Sequence, residues 1–587
     1  MCEILSTINS PKDLKTLSRD ALVQLCAEIR QQLLFRLSVT GGHVGSNLGM
    51  VEATVALHYL FDSPTDKIIF DVSHQCYTHK LLTGRKDAYT DPARFSTVSG
   101  FTNPAESAHD VFSVGHTSSA VNLACGLAKG RDVKGETNYV IAVVGDGALS
   151  GGEAFEGLNN AAALGSQFLL LVNDNDMSIA ENHGGLYQNL RLLRETDGKA
   201  ECNLFRALGF DYIFVRDGND FCEIADALEK AKKIKYPAGV HMCTVKGKGY
   251  RFAEENKELW HYMGPFHLET GEVRHKAVPA ETYESLTAKY LEEKMRKDPT
   301  VTALTAGTPK VLGFEEELRR RFPKQFVDVG IAEGHAVAMA SGIAKAGGKP
   351  VFGVSSSFLQ RTYDQLSSDL ALNSSPAVIL VFLAGLSGGS QTHMGAFDIP
   401  LASNIPNIVY LAPTCREEYL SMLDWGIEQQ KAPVMIRVPG VRTISRNAEL
   451  LEDYSHPAKY EIVEHGTTVA ILALGNSFTL GEQVREKLLM DHGISATLIN
   501  PRYTSAVDET MLGALPQYGH KLVITLEDGV LDGGFGEKIT RFYGNSPMKV
   551  LNFGARKEFV NHVPVKEQHF KYHMTPEQIV ADVLNEI

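Results

Sequence analysis

Two short strings place oxygen ligands at a spacing that suits a divalent cation and a diphosphate: VGDG at residues 144–147 and NDND at residues 173–176. Residues 138–144 form a continuous apolar run, several of them β-branched, and predict a buried strand ending in glycine. Gly145 and Gly147 permit a tight turn and a close approach of a ligand to the backbone. Asp146 offers a hard carboxylate oxygen to a hard cation. Residues 149–165 then predict a helix and residues 168–172 the next strand, which delivers Asn175 to the same sheet edge. A carboxylate, an amide and a backbone carbonyl supplied by Met177 leave positions for phosphate oxygens, which is how Mg²⁺ is usually held.

The elements that must position these residues repeat along the chain. Apolar runs at 239–245, 351–357, 377–384, 407–413, 434–438, 469–474 and 521–526 predict further buried strands with helical segments between them. That alternation predicts parallel α/β sheets wrapped by helices. Two polar stretches, 254–300 and 441–459, divide the chain into expected domains near 1–285, 300–440 and 460–587. There is no low-complexity tract and no short-period repeat.

Composition narrows the class. At 587 residues, 44% hydrophobic and 22% charged, the chain has the make-up of a globular protein of several domains. Its net charge of −13 argues against nucleic acid or an anionic membrane as a main partner. No apolar run reaches the length of a membrane span, and the first residues lack the basic-then-apolar layout of a signal peptide. The 8 cysteines are scattered without a CxxC pair and predict reduced thiols. These features together predict a soluble cytoplasmic protein.

With VGDG and NDND in place, further segments fall into line. They are GGHVGSNLG at 41–49, VEATVALHYLF at 51–61, DVSHQCYTHKLLTGR at 71–85 and SVGHTSS at 113–119. They continue with NDNDMSIAEN at 173–182, KGKGY at 246–250, DVGIAEGHAV at 328–337, SFLQRTYDQ at 357–365 and QTHMGAFD at 391–398. In these strings and their order the chain resembles the 1-deoxy-D-xylulose-5-phosphate (DXP) synthase branch of the transketolase-like thiamine diphosphate enzymes.

The resemblance implies an α/β protein of three domains. Two are doubly wound parallel-sheet domains that bind the diphosphate and pyrimidine ends of thiamine diphosphate, and the third is a smaller C-terminal α/β domain serving a homodimer. It implies a transferase that moves a two-carbon unit from pyruvate, with decarboxylation, to an aldehyde such as D-glyceraldehyde 3-phosphate, in isoprenoid and thiamine biosynthesis. The alternative is a transketolase-type or other carboligase with a different aldehyde or ketose. The implied cofactors are thiamine diphosphate and Mg²⁺. Glu333 in IAEGH would donate to the aminopyrimidine ring. His43, His261 and His393 would face the substrate and stabilise a developing alkoxide. His74 and His116 would sit nearer the cofactor, with Gly145, Gly147 and Ala148 along it. Lys246 would neutralise diphosphate charge, Phe358 would stack on the pyrimidine and Arg361 would lie beside it.

The departures from the family pattern cluster on acceptor binding. DXP synthases carry an Arg immediately before the AG of the segment leading to QTH, where this chain has Leu383. Their Asp in the following loop is missing, and AGLSGGSQTH with Gly389 and Ser390 is one residue shorter. The family's YPRG string reads Val438, Pro439, Gly440, Val441, and a usual Tyr is Ser355. Arg442 is a possible substitute for the missing arginines. The connection between Asn182 and Leu204 is shorter than the family's, which predicts a trimmed wall at the site entrance. These changes predict an altered grip on the acceptor phosphate.

Overall fold

The computed structural model describes residues 3–274, 280–440 and 442–587. They form two compact units: one of residues up to 274 together with Gly330–Ala332, the other of residues 280–329 and 333–587. The residues 275–279, inside the expected first domain, as well as Cys2 and Val441, lie outside those described.

The first unit holds one parallel sheet of β1 (Lys67–Phe70), β2 (Val140–Gly145), β3 (Leu169–Asp174), β4 (Asp211–Val215) and β5 (Ala238–Cys243). Their order is β1-β2-β3-β5-β4. β2 and β3 are apolar on both faces because both faces are covered, as parallel sheets require. Alternate residues feed two cores. Ile141, Val143, Leu169 and Leu171 pack on one side, and Val140, Ala142, Val144, Leu170 and Val172 on the other.

The expected helix over 149–165 is present with a later start. Asp146–Ser150 form a 3₁₀ turn, and the helix Gly152–Leu164 follows it. Gly151 stands between them in an extended conformation at ψ 140°, so the glycine pair absorbs the change of direction. The short connection after Asn182 is itself ordered: Gly185–Glu195 is a helix whose Tyr187, Leu190 and Leu193 enter the core.

The second unit holds two sheets. One comprises β6 (Val301–Thr305), β7 (Phe326–Asp328), β8 (Lys349–Ser355), β9 (Val378–Phe382), β10 (Val409–Leu411) and β11 (Val434–Arg437), in the order β10-β11-β9-β8-β6-β7. All of its pairings are parallel. The other comprises β12 (Glu461–Glu464), β13 (Val469–Ala473), β14 (Thr497–Asn500), β15 (Leu522–Val530) and β16 (Lys549–Ala555), in the order β12-β14-β13-β15-β16. Only the edge strand β12 is antiparallel among these pairings. Val351, Val378 and Leu380 share one core with Ala470, Leu472 and Val523, so the two sheets of this unit are joined through buried apolar surface. The seven described cysteines are free, and no described helix is long and apolar enough to cross a membrane.

Candidate active site

Strand register explains why Asp146 and Asn175 lie at the same sheet edge. β2 pairs with β3 so that Gly145 lies opposite Asn173, and the chain leaves both strands at the same edge. β5 pairs with β3 through Asp174 and Cys243, which brings Lys246 to that edge as well. In a doubly wound sheet, the carboxyl end of the strands is where ligands bind.

The geometry at this edge fits a cation. Asp146 is buried, and its Oδ2 accepts hydrogen bonds from the Met177 N–H (3.1 Å) and from Asn182 Nδ2 (2.8 Å). Burial pushes its carboxyl well above the usual carboxylate range, and the charge of Asp174 adds to this; Lys246 and hydrogen bonds oppose it. A carboxylate so desolvated gains from a positive charge. Asn175 Oδ1 is buried without a hydrogen-bond partner, and so is Asn182 Oδ1. Orphaned buried oxygens call for an explanation, and a bound ion is one. A Cβ on Gly147 would come within 2.9 Å of Ser178, so only glycine allows the two loops to approach this closely. Ala148 follows as a buried residue of the same turn, its carbonyl accepting from Ser118 Oγ at 2.8 Å.

Lys246 is buried, with its Nζ donating to the Ser178 carbonyl at 2.5 Å. Burial lowers its pKa to about 8, with Lys257 adding to the depression and Asp146 opposing it.

Three of the predicted histidines form a cluster in the first unit. The ring of His43 lies 5.0 Å from that of His74 and 5.6 Å from that of His261, and His74 lies 5.3 Å from His261. Tyr262 and Phe101 close around His43 at 5.1 and 5.8 Å. One amide holds the cluster together: Asn47 Nδ2 donates to the carbonyls of both His43 (2.7 Å) and His74 (2.8 Å). Its Oδ1 accepts from the Tyr77 N–H at 2.9 Å. Burial, followed by the charge of Lys246, holds the pKa of His261 well below the ordinary imidazole value, and its Nδ1 is buried without a hydrogen-bond partner. His116 lies in the turn before the helix Ala120–Lys134. That turn is fixed by Asp71, whose carboxylate accepts from the backbone N–H groups of Ser118 (2.8 Å) and Ala120 (3.0 Å).

The second unit carries the remaining four predicted residues. Glu333 opens the helix Glu333–Lys345 and is 4% exposed. Burial raises its pKa, and the nearby charge of Arg361 works in the opposite direction. Phe358, just past the end of β8, packs edge-on to His393 with 5.6 Å between ring centroids. His393 lies in the 3₁₀ turn Gln391–His393, where its Nδ1 is 2.9 Å from Thr392 Oγ1, and burial lowers its pKa.

The departures also lie in this unit. Leu383 is 60% exposed with φ of +54°, while Ser355 is buried at the end of β8 and Gly440 is exposed. Arg437 is buried between two carboxylates: its Nε donates to Asp398 Oδ2 at 2.7 Å, and it pairs with Asp528. Arg442 is exposed.

Asn182 and Asn47 are absent from the residues singled out by sequence. Asn182 is the last residue of NDNDMSIAEN, and Asn47 lies inside GGHVGSNLG, so the motifs contained them. A lone asparagine gives no sign in sequence of which two segments it will bridge.

Comparison with known proteins gives three consecutive matches. Residues 281–441 match the transketolase pyrimidine binding domain, and residues 458–579 match the transketolase C-terminal domain. With three largely parallel sheets, these define a transketolase-like enzyme. Residues 5–201 match the family model described as 1-deoxy-D-xylulose-5-phosphate synthase. The chain is 36% identical to the 1-deoxy-D-xylulose-5-phosphate synthase of Clostridium acetobutylicum, with 100% of each chain covered. It is 37% identical to that of Caldanaerobacter subterraneus, over 99% of each, and 38% identical to that of Brevibacillus brevis, over 99% of this chain and 98% of the relative. The chain belongs to the 1-deoxy-D-xylulose-5-phosphate synthase family. That membership implies thiamine diphosphate as the cofactor.

Proposed function

We propose that this protein condenses pyruvate with D-glyceraldehyde 3-phosphate, releasing carbon dioxide and forming 1-deoxy-D-xylulose 5-phosphate, with thiamine diphosphate and Mg²⁺ bound. The observation that carries the reading is the end-to-end match to named synthases, at 36% identity over 100% of both chains. The buried carboxyl of Glu333, the unpartnered buried Asn175 Oδ1 beside Asp146 and the His43, His74 and His261 cluster support it. The same reading makes the protein a cytoplasmic homodimer acting on small molecules.

Thiamine diphosphate supplies a nucleophilic carbon and an electron sink for breaking and making carbon–carbon bonds. Asp146, Asn175 and the Met177 carbonyl would hold Mg²⁺, leaving positions for phosphate oxygens. Lys246 would bring a positive charge to the diphosphate, with His74, His116, Gly145, Gly147 and Ala148 along the cofactor. Glu333, kept protonated more readily by burial, would hold a proton on its carboxyl and donate it to the ring nitrogen of the pyrimidine. Phe358 would pack on that ring beside Arg361. His261 and His393, both favoured in the neutral form by burial, can each accept or donate a proton through the imidazole ring. They would serve, with His43, the oxygen that changes charge on the substrate.

The deciding experiment measures carbon dioxide release from pyruvate with thiamine diphosphate and Mg²⁺, with and without glyceraldehyde 3-phosphate. Release that depends on the aldehyde, with a 1-deoxyketose phosphate as product, is expected. Release indifferent to it would point to another acceptor, and no release would replace the reading with ketol transfer from a sugar donor.

A further inference from the structure

The helix Gly185–Glu195 is built from the short connection after the cation-binding loop, and its last turn reaches back to that loop. Arg194 Nη1 donates to both carboxylate oxygens of Asp174, at 2.7 Å each, and Arg194 Nη2 pairs with Asp176 Oδ1 at 2.8 Å. Asp174 and Asp176 are the two neighbours of Asn175. Asp176 has φ of +60°, a left-handed conformation that costs a non-glycine residue about 1–2 kcal/mol unless its surroundings enforce it. Its N–H is in turn held by Asp174 Oδ1 at 3.2 Å.

Behind this pair the bracing continues into the sheet. Asp174 Oδ2 lies 2.8 Å from His241 Nε2, and His241 Nδ1 lies 2.7 Å from the Tyr212 hydroxyl. Asp174, His241 and Cys243 present ligand atoms close enough to share a metal. Both ring nitrogens of His241 and both oxygens of Asp174 already have partners, so the group reads as a brace and not as a second metal site.

We infer that Arg194 is a positioning residue that clamps the two aspartates flanking Asn175 and so presets the amide oxygen for Mg²⁺. The inference rests on the reading of Asp146 and Asn175 as cation ligands. A single guanidinium spanning two carboxylates fixes the intervening backbone in a way that a point-charge ammonium cannot match. Residues that orient metal ligands typically alter affinity by about 10–100-fold when removed.

The test is a Mg²⁺ titration of the full-length protein at saturating thiamine diphosphate, followed by intrinsic fluorescence, for wild type, Arg194→Gln, Arg194→Lys and Asp176→Gly. Arg194→Gln should raise the Mg²⁺ midpoint about tenfold or more, while kcat at saturating Mg²⁺ stays near wild type. Arg194→Lys should fall between the two. Asp176→Gly, which leaves the buried Asp174–Arg194 pair intact and tolerates the left-handed backbone, should shift the midpoint in the same direction. Thermal unfolding without Mg²⁺ separates this from general destabilisation. Midpoints equal to wild type in all three variants, or a loss of kcat at unchanged midpoint, would overturn the clamp while leaving the ligand reading standing. A wild-type protein indifferent to Mg²⁺, or an Asp146→Asn variant that binds it as well, would overturn both.

Discussion

Asn182 donates through its Nδ2 to Oδ2 of Asp146 at 2.8 Å, while its own Oδ1 is buried with no hydrogen-bond partner. The amide thus orients one candidate ligand and offers a second oxygen beside it. Asp146 carries the cost of this arrangement in the metal-free protein. Its folded-state pKa lies above the ordinary 3.8, so the carboxyl penalises folding increasingly as pH rises above that value. Asp146→Asn should therefore make the metal-free protein more stable than wild type at pH 7, with the difference closing near pH 4. Added Mg²⁺ and thiamine diphosphate should stabilise wild type and leave the variant unmoved. Thermal unfolding at the two pH values, with and without both ligands, checks each part. Asn182→Ala should weaken Mg²⁺ by about tenfold.

Lys246 gives a pH dependence of its own. Burial depresses its pKa to about 8, so the ammonium is present below that value and is lost as pH rises through it. Thiamine diphosphate binding should weaken progressively above pH 8, because the anion favours the charged form. Lys246→Met should bind weakly throughout and lose the bend. Cofactor titrations by fluorescence quenching between pH 7 and pH 9.5 read this directly; a bend of equal size in the variant would assign it to another group.

Most of the candidate site is legible in the sequence because its residues sit in local strings at strand ends. The runs ending at Val144 and Val172 are continuous and apolar, and they are strands β2 and β3. β4 was missed because Asp211–Val215 is only partly buried and starts on a charged residue. The helix start was misplaced because an apolar count does not register the turn that Gly151 imposes. Arg194 and Asn47 were invisible for a different reason. Their partners Asp174 and His74 lie 20 and 27 residues away, and only the packing of helix against loop brings them together.

Glu333 should separate binding from turnover. Its carboxyl is buried, and its raised pKa favours a proton on it, which a proton donor to a ring nitrogen needs. Glu333→Gln keeps shape and a hydrogen-bond donor but cannot exchange a proton. We expect kcat to fall by about 10²–10⁴-fold, the usual worth of a positioned general acid or base, while the Mg²⁺ midpoint changes little. Steady-state rates together with the Mg²⁺ titration distinguish this from a collapsed site, which would move both.

Leu383 is where the acceptor phosphate can be tested. An exposed leucine stands where the family resemblance places arginine, and its φ of +54° is one that arginine tolerates no worse than leucine. The nearby cation of the same sheet does not replace it. Arg437 is buried and spent on Asp398 and Asp528. Asp528 also lies against Gly385, two residues past Leu383, so closely that a Cβ at Gly385 would collide with its carboxylate. The segment therefore presents an exposed hydrocarbon side chain where the family resemblance places a donor. Leu383→Arg should lower the KM for glyceraldehyde 3-phosphate. A charge-assisted bond of about 1.5–3 kcal/mol corresponds to roughly tenfold or more. The KM for unphosphorylated glyceraldehyde should stay where it is, because the added guanidinium has nothing to hold on that substrate. Parallel changes for both aldehydes would mean that the substitution reshapes the site and that Leu383 does not face the phosphate. A selective gain would show that the machinery for carbon–carbon bond formation is intact and that this one position limits how tightly the phosphorylated acceptor is gripped.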